Sequence, residues 1–410
     1  MHRTGDSIFW HVYALGFCDA LGQDDGHVHH RLGRVTGRLD HARDFGATGL
    51  LIGPLFASGT HGYDTLDHYR VDPRLGDDGD LAELIARAHE LEMPVVLDGV
   101  FNHLAREHAI VARAIAAGPG TPDGDWIRWS GEYPYAFEGN EPLVELNLNN
   151  PAVQEYVADA MIHWLDRGVD GWRMDAAYAA GADAWAPIVA RVRAVHPDVW
   201  LLGEVLHGEY ATFVAASGFD TTTEYELWKS IWSSLNDANL FELAWALGRL
   251  NPLTRAFRPQ TFIGNHDVTR IATRLNDPRH REIAVALLMT LPGTPSIYYG
   301  DELGFTGEKL DAPGGDDAVR QPFPEPGEPL GGDPAVLDAH RRWIGLRREH
   351  PWVADAHVDT GHLTNTHITI GLAGREGQHL TLAVNLNDEP ITLPGSRGEL
   401  RIGPHSVALG

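Results

Sequence analysis

Asp98-Gly-Val-Phe-Asn-His103, Gly171-Trp-Arg-Met-Asp175, Gly203-Glu204-Val205 and Gly264-Asn-His-Asp267 follow one another along the chain. Each sets a carboxylate at the end of an apolar run, beside a His, Asn or Arg in three of the four. A short continuous apolar run reads as a strand buried on both faces, the kind found in parallel sheets. In a closed barrel of parallel strands, reactive groups come from the C-terminal ends of several strands. Four acid-terminated strand ends therefore predict a barrel with its acids gathered at one mouth.

Working outward, strand-like runs occur at about residues 8–17, 48–53, 94–98, 169–174, 199–204, 218–222, 260–264 and 295–299. Helical segments separate them, the pattern of a parallel sheet with crossover helices, and eight strands close a barrel. The expected fold class is α/β, a (β/α)8 TIM barrel over residues 1–350. One crossover helix is well marked: Asn150 caps it, Pro151 takes the first turn and Gly168 follows its end. Val153, Val157, Met161, Trp164 and Leu165 recur on one face and are expected to pack on the barrel wall. Residues 104–145 break the rhythm with Gly118-Pro-Gly-Thr-Pro-Asp-Gly124 and the aromatics Trp126, Trp129, Tyr133, Tyr135 and Phe137. They read as a short excursion over the third strand, with Trp126 packing and one of Trp129, Tyr133 and Tyr135 meeting a sugar. After Pro351, alternation as in Leu380-Thr-Leu-Ala-Val-Asn-Leu386 predicts a small C-terminal all-β domain over 351–410.

A net charge of −25 argues against nucleic acid and anionic membrane as partners, since both require basic patches. Lys229 and Lys309 are the only lysines among 32 basic residues, a bias of the coding genome rather than of function. Cys18 is the only cysteine, so no internal disulfide or thiolate metal site is expected. No run approaches the roughly 18 apolar residues of a membrane span, and no secretory leader precedes Ile8. The expectation is a cytoplasmic protein of unknown oligomeric state. His27-Val-His-His30 lacks the partners of a zinc site and reads as a polar loop.

Retaining glycoside hydrolysis uses two carboxyl groups about 5–5.5 Å apart, a nucleophile and an acid/base. Asp175 suits the first role because Arg173, two residues before it, shares its face of the strand and can hold it ionised. Glu204 ends the apolar run Val199-Trp-Leu-Leu-Gly203, where desolvation favours the protonated acid. Asp267 can strengthen its hydrogen bonds to sugar hydroxyls in the transition state. Singly, each acid could be a helix cap or a surface turn. With His103, Arg173 and His266 beside them, that alternative loses ground.

The four stretches resemble, in order, the signature regions of the α-amylase family of glycoside hydrolases, family 13, and the resemblance extends over most of residues 8–350, including Tyr299-Gly-Asp-Glu-Leu-Gly304. It implies a catalytic trio of Asp175 as nucleophile, Glu204 as acid/base and Asp267 as transition-state stabiliser. It further implies that Arg173, His103 and His266 contact the bound sugar, that Asp98 supports them, and that Tyr63 in His61-Gly-Tyr-Asp64 stacks on it. Asp64 and Arg320 resemble a pair that holds terminal glucose hydroxyls in chain-end-cleaving members. Asn102 matches a calcium ligand by position. The Lys-His that often follows the nucleophile is replaced by Tyr178-Ala179, and the excursion offers few acids. No calcium site and no other cofactor is therefore expected. The implied function is retaining hydrolysis of short α-glucans or α-glucosyl disaccharides. A transglycosylase or trehalose-forming isomerase would share the same residues. A non-catalytic interaction protein is the third reading, against which stand all three acids and the lack of a membrane anchor.

Overall fold

The computed structural model describes residues 4–22, 24–312, 314–396 and 398–410. Eight strands lie near the expected positions: β1 Phe9–Val12, β2 Gly49–Ile52, β3 Val95–Gly99, β4 Gly171–Met174, β5 Trp200–Gly203, β6 Thr221–Thr222, β7 Gln260–Phe262 and β8 Thr294–Tyr298. They hydrogen-bond in the order β6-β5-β4-β3-β2-β1-β8-β7, every pair parallel. A parallel bridge between Thr223 and Gln260 links the two end strands and closes the barrel.

Alternation along the strands sorts the side chains. Phe9, Leu51, Val96, Trp200 and Leu202 point inward as one cluster, with Phe9 stacked on Trp200 at 5.2 Å. Trp10, Val12, Leu50, Ile52, Leu97, Trp172 and Met174 belong to the larger core under the helices. Both faces are thus buried, which is why the strands read as continuous apolar runs. Gly49 is required opposite the plug, since a Cβ there would come within 2.9 Å of the Phe9 ring.

The first strand ends earlier than its apolar run. Beyond Val12 the chain turns into a single helical turn, Ala14–Phe17. Gly16 allows this, because a Cβ would sit 2.2 Å from the Arg320 carbonyl oxygen. The turn stacks Phe17 on Phe323 at 4.8 Å. The sixth strand is the shortest, and the carboxylate of Asp220 just before it accepts from Leu201 N and Arg193.

The helix after the excursion spans Pro151–Leu165, and the Asn150 side chain accepts from Ala152 N at its start. The excursion is a three-stranded antiparallel sheet of His103–Ala105, Ala136–Phe137 and Asn140–Glu145 with a helix at Ala109–Ala117. Beyond the helix Pro334–Glu349, the strands β9 His357–Leu363, β10 His367–Ala373, β11 His379–Asn385 and β14 Ser406–Leu409 form an antiparallel sheet. A hairpin of β12 Ile391–Gly395 and β13 Gly398–Ile402 accompanies it. Asn251, on the helix Leu240–Ala256, ties this sheet to the barrel by bonds to both Val358 N and O. Among the described residues no helix is long and apolar enough to cross a membrane.

Two substitutions separate packing from capping. Phe9→Ala should cost about 3–5 kcal/mol as a core truncation, and Asn150→Ala about 1 kcal/mol as a lost cap. Urea denaturation measures both; equal small losses would mean that the barrel floor is not a close-packed core.

Candidate active site

Register brings the acids together. Arg173 lies opposite Asp98 in the β3–β4 pairing, and Met174 opposite Gly203 in β4–β5. The pairing runs one residue further, with Asp175 N donating to Gly99 O at 3.0 Å and Glu204 N to Met174 O at 2.9 Å. Arg173 and Asp175 share the inward face, as do Trp200, Leu202 and Glu204, so three strands deliver their acids to one point. Gly53, just after β2, makes room, since a Cβ there would lie 2.5 Å from that of Asp98.

At that point Arg173 is buried and charged. Its Nη1 donates to Asp98 Oδ1 and Oδ2 at 2.7 and 2.8 Å and to Asp175 Oδ1 at 3.3 Å. Its Nη2 pairs with Glu204 Oε1 at 2.7 Å. Glu204 also accepts from Ala176 N at 2.9 Å and from the Tyr225 hydroxyl at 3.2 Å. Asn265 in turn donates to that hydroxyl at 3.0 Å and accepts from Asp267 N at 2.8 Å.

A second group forms around Asp267. His266 Nε2 lies 2.9 Å from Asp267 Oδ2, and Arg320 Nη2 donates to Asp267 Oδ1 at 3.0 Å. Arg320 also bonds the His266 carbonyl, pairs with Asp316 at 3.0 Å and lies over the Tyr13 ring. Tyr13, Tyr63 and His266 are near-parallel, with Tyr63 stacked on His266 at 5.2 Å. The Tyr63 hydroxyl contacts His266 Nε2 and donates to Asp98 at 2.9 Å, joining the two groups. His103 Nε2 is 3.1 Å from the Tyr63 carbonyl and 3.9 Å from Asp175 Oδ2, and its ring stacks on Phe137 at 4.3 Å.

These contacts set the charges. Burial first, and then the neighbouring Glu204, push the Asp175 carboxyl well above the usual carboxylate range. Burial alone would do the same to Asp267, but His266 and Arg320 outweigh it and hold that group low. Burial takes His103 down to about 4, leaving a neutral ring. The sequence argument assigned Arg173 to Asp175 and desolvation to Glu204. The guanidinium is shared three ways and sits nearer Asp98 and Glu204 than Asp175, so it does not hold the Asp175 carboxyl low.

Asp98, His103, Arg173, Asp175, Glu204, His266, Asp267, Tyr63 and Arg320 are thus brought into one network. Asp64 lies apart from Arg320: it accepts from Thr60 Oγ1 at 2.8 Å, whereas the acids that pair with Arg320 are Asp267 and Asp316. The expected Asp64–Arg320 pair is therefore not formed. Asn102 is buried beside His103, with Nδ2 3.4 Å from its ring nitrogen. Glu145, the acid at the end of the excursion, is paired with Arg128.

Sequence reasoning missed Tyr13, Phe137, Tyr225, Asn265 and the contact of the Tyr178 hydroxyl with Glu138. Asn265 lay inside a quoted stretch, and its neighbours were the only signal. Trp126 packs between Tyr156 and Arg113 as expected, while Tyr133 stands 77% exposed.

A family model described as the alpha-amylase catalytic domain matches residues 11–144 and 130–335, most of the chain. The chain belongs to the α-amylase family of glycoside hydrolases. It is 30% identical over 348 residues to alpha-amylase 3 of Dictyoglomus thermophilum, covering 78% of this chain and 67% of that protein. It is 31% identical over 295 residues to a cyclomaltodextrinase of Geobacillus thermopakistaniensis, of which it spans about half, 49%, with 67% of this chain covered. The fold superposes on the cyclic alpha-maltosyl-(1→6)-maltose hydrolase of Arthrobacter globiformis with a TM-score of 0.86, at 23% identity, covering 99% of this chain and 98% of that one.

The raised Asp175 carboxyl gives this family member a stability signature. A carboxyl whose folded pKa lies above its unfolded value binds more protons when folded, so stability falls as pH rises through that window. Asp175→Asn should raise the melting temperature at pH 7, with the gain shrinking as pH falls toward the unfolded value of about 4. Melting curves across pH 4–8 measure it; a loss at neutral pH would contradict the charge assignment.

Proposed function

We propose that the chain is a retaining α-glycoside hydrolase acting on short α-glucans and α-glucosyl disaccharides. The observation that supports this most is Arg173 holding Asp98, Asp175 and Glu204 within reach of one guanidinium. One cation cannot balance three carboxylates in a buried site, and the Asp175 carboxyl is pushed toward protonation in the free protein. In the reaction that proton must reside on Glu204. The glycosidic oxygen of a bound sugar offers Glu204 an acceptor, which draws the proton there and frees Asp175 as an anion.

Asp175 then attacks the anomeric carbon while Glu204 protonates the departing oxygen, giving a glycosyl ester on Asp175. Water, deprotonated by Glu204, breaks that ester and restores both groups with the anomeric configuration retained. Asp267, held ionised by His266 and Arg320, binds sugar hydroxyls as positive charge grows on the ring. Tyr63 offers a stacking face; His103, neutral, and His266 hydrogen-bond the same sugar. Asp64 and Arg320 bound its far end without pairing to each other, while Asp98 and Asn102 support the rest. The relatives' names, a cyclomaltodextrinase and a cyclic maltosyl-maltose hydrolase among them, favour short glucans. We place the reaction in the cytoplasm, consistent with a single buried cysteine.

One contact favours transfer to a sugar acceptor as a second reading. Tyr178, whose backbone N–H donates to the Glu204 carbonyl, reaches across to Glu138 of the excursion and walls the leaving-group side. A sugar that stacks there would compete with water for the glycosyl ester.

Asp175→Ala should lower turnover of maltose, maltotriose and isomaltose by at least about 10⁴-fold with the fold retained, and substantial residual activity would refute the assignment. Chromatography of the wild-type products separates the readings, since glucose supports hydrolysis and longer or rearranged sugars support transfer. We also propose that calcium has no role: added to metal-free protein, it should change neither turnover nor melting temperature, and an increase in either would refute this.

A further inference from the structure

We propose that Asp277, His280 and His405 form a binding site for a zinc-class divalent cation, which clips the C-terminal sheet to the barrel. Asp277 precedes and His280 ends the 3-10 turn Pro278–His280 that leads into the helix Arg281–Thr290, while His405 lies in the turn between β13 and β14. One ligand atom from each lies within 4.8 Å of the others. His280 Nε2 faces His405 Nδ1 at 3.0 Å, and Asp277 Oδ2 is 3.8 Å from that Nδ1. A tetrahedral zinc at about 2.0–2.1 Å from each nitrogen separates its ligand atoms by about 3.3 Å, so the imidazole pair must open slightly and the Asp277 carboxylate must move in.

The surroundings of His405 fix its tautomer. Its Nε2 lies 2.9 Å from Asp388 Oδ1, and an ionised carboxylate can only accept, so Nε2 carries the hydrogen. Its Nδ1 then presents a lone pair toward the other two groups. A carboxylate behind a ligating histidine is the arrangement that orients metal-bound imidazoles. The residue is also held in an unusual conformation, φ +43°, with its backbone N–H on the Asn387 carbonyl at 3.1 Å. His280 is buried, so its Nε2 has few competing partners besides His405.

Arg279 is the competing cation. Its guanidinium forks onto Asp277 and reaches Asp388 at 3.4 Å. Its side chain is 54% exposed, so it can turn into water when a metal takes Oδ2. Two imidazoles and one carboxylate select zinc, cobalt or nickel over calcium and magnesium, which prefer oxygen ligands. None of the groups touches a residue of the active site, so the site's effect is on stability.

The full chain, stripped of metal, would be titrated with zinc chloride by calorimetry and by melting curves, and with cobalt by visible absorption. One equivalent should bind, the melting temperature should rise with zinc, and cobalt should show tetrahedral bands. His405→Gln should abolish all three, and Asp388→Asn should weaken binding about tenfold or more. His30→Gln, in the exposed trio His30, Asp77 and Asp80, should change none of them. His280→Gln serves if His405→Gln fails to fold by circular dichroism. No saturable binding below millimolar zinc, or binding that survives both ligand substitutions or is lost in His30→Gln, would overturn the proposal.

Discussion

One guanidinium between three carboxylates governs this molecule. A buried arginine must be paired, and buried acids must be paired or protonated. Arg173 meets both requirements for Asp98, Asp175 and Glu204 at once, but with one charge against three. The deficit keeps a proton in the site at pH values where isolated carboxyls would have lost theirs. The same imbalance that makes the site costly to fold makes it chemically useful.

The barrel exists to impose that imbalance. Parallel strands in fixed register put residues from positions 98, 175 and 204 side by side, although the chain between them forms helices and an excursion. Phe9 and Trp200 close the floor beneath, and Gly53 yields its side-chain space to Asp98. Asp267 belongs to a separate charge group with a cation of its own, Arg320, and so is held ionised while Asp175 is pushed toward protonation. Tyr63 couples the two groups through a single hydroxyl. The three carboxyl groups are therefore distinguished by surroundings, not by residue type.

The strand ends were readable because burial on both faces leaves a continuous apolar run, and a carboxylate that interrupts such a run is conspicuous. The cap at Asn150 was readable because capping is local. What could not be read depended on approach from far along the chain. The apolar run from Ile8 to Phe17 looked like one strand, and only the Arg320 carbonyl packed against Gly16 shows why it turns at Tyr13. Arg320 matched a partner for Asp64 by position, but Asp267 and Asp316 are the carboxylates it meets. Tyr225 gave no signal, since a tyrosine at a helix start becomes significant only when its hydroxyl reaches Glu204.

By itself the sequence determined the barrel, its eight strands, the four acids at their ends and the family, because periodicity and residue type are properties of single segments. Tertiary structure alone decided how the charges are distributed. Which carboxylates Arg173 favours, that Asp175 is pushed toward protonation, and that Asp64 stands clear of Arg320 all follow from distances of a few ångströms between remote segments. Electrostatic energy varies steeply over such distances in a dry interior, and no local pattern of residues encodes them.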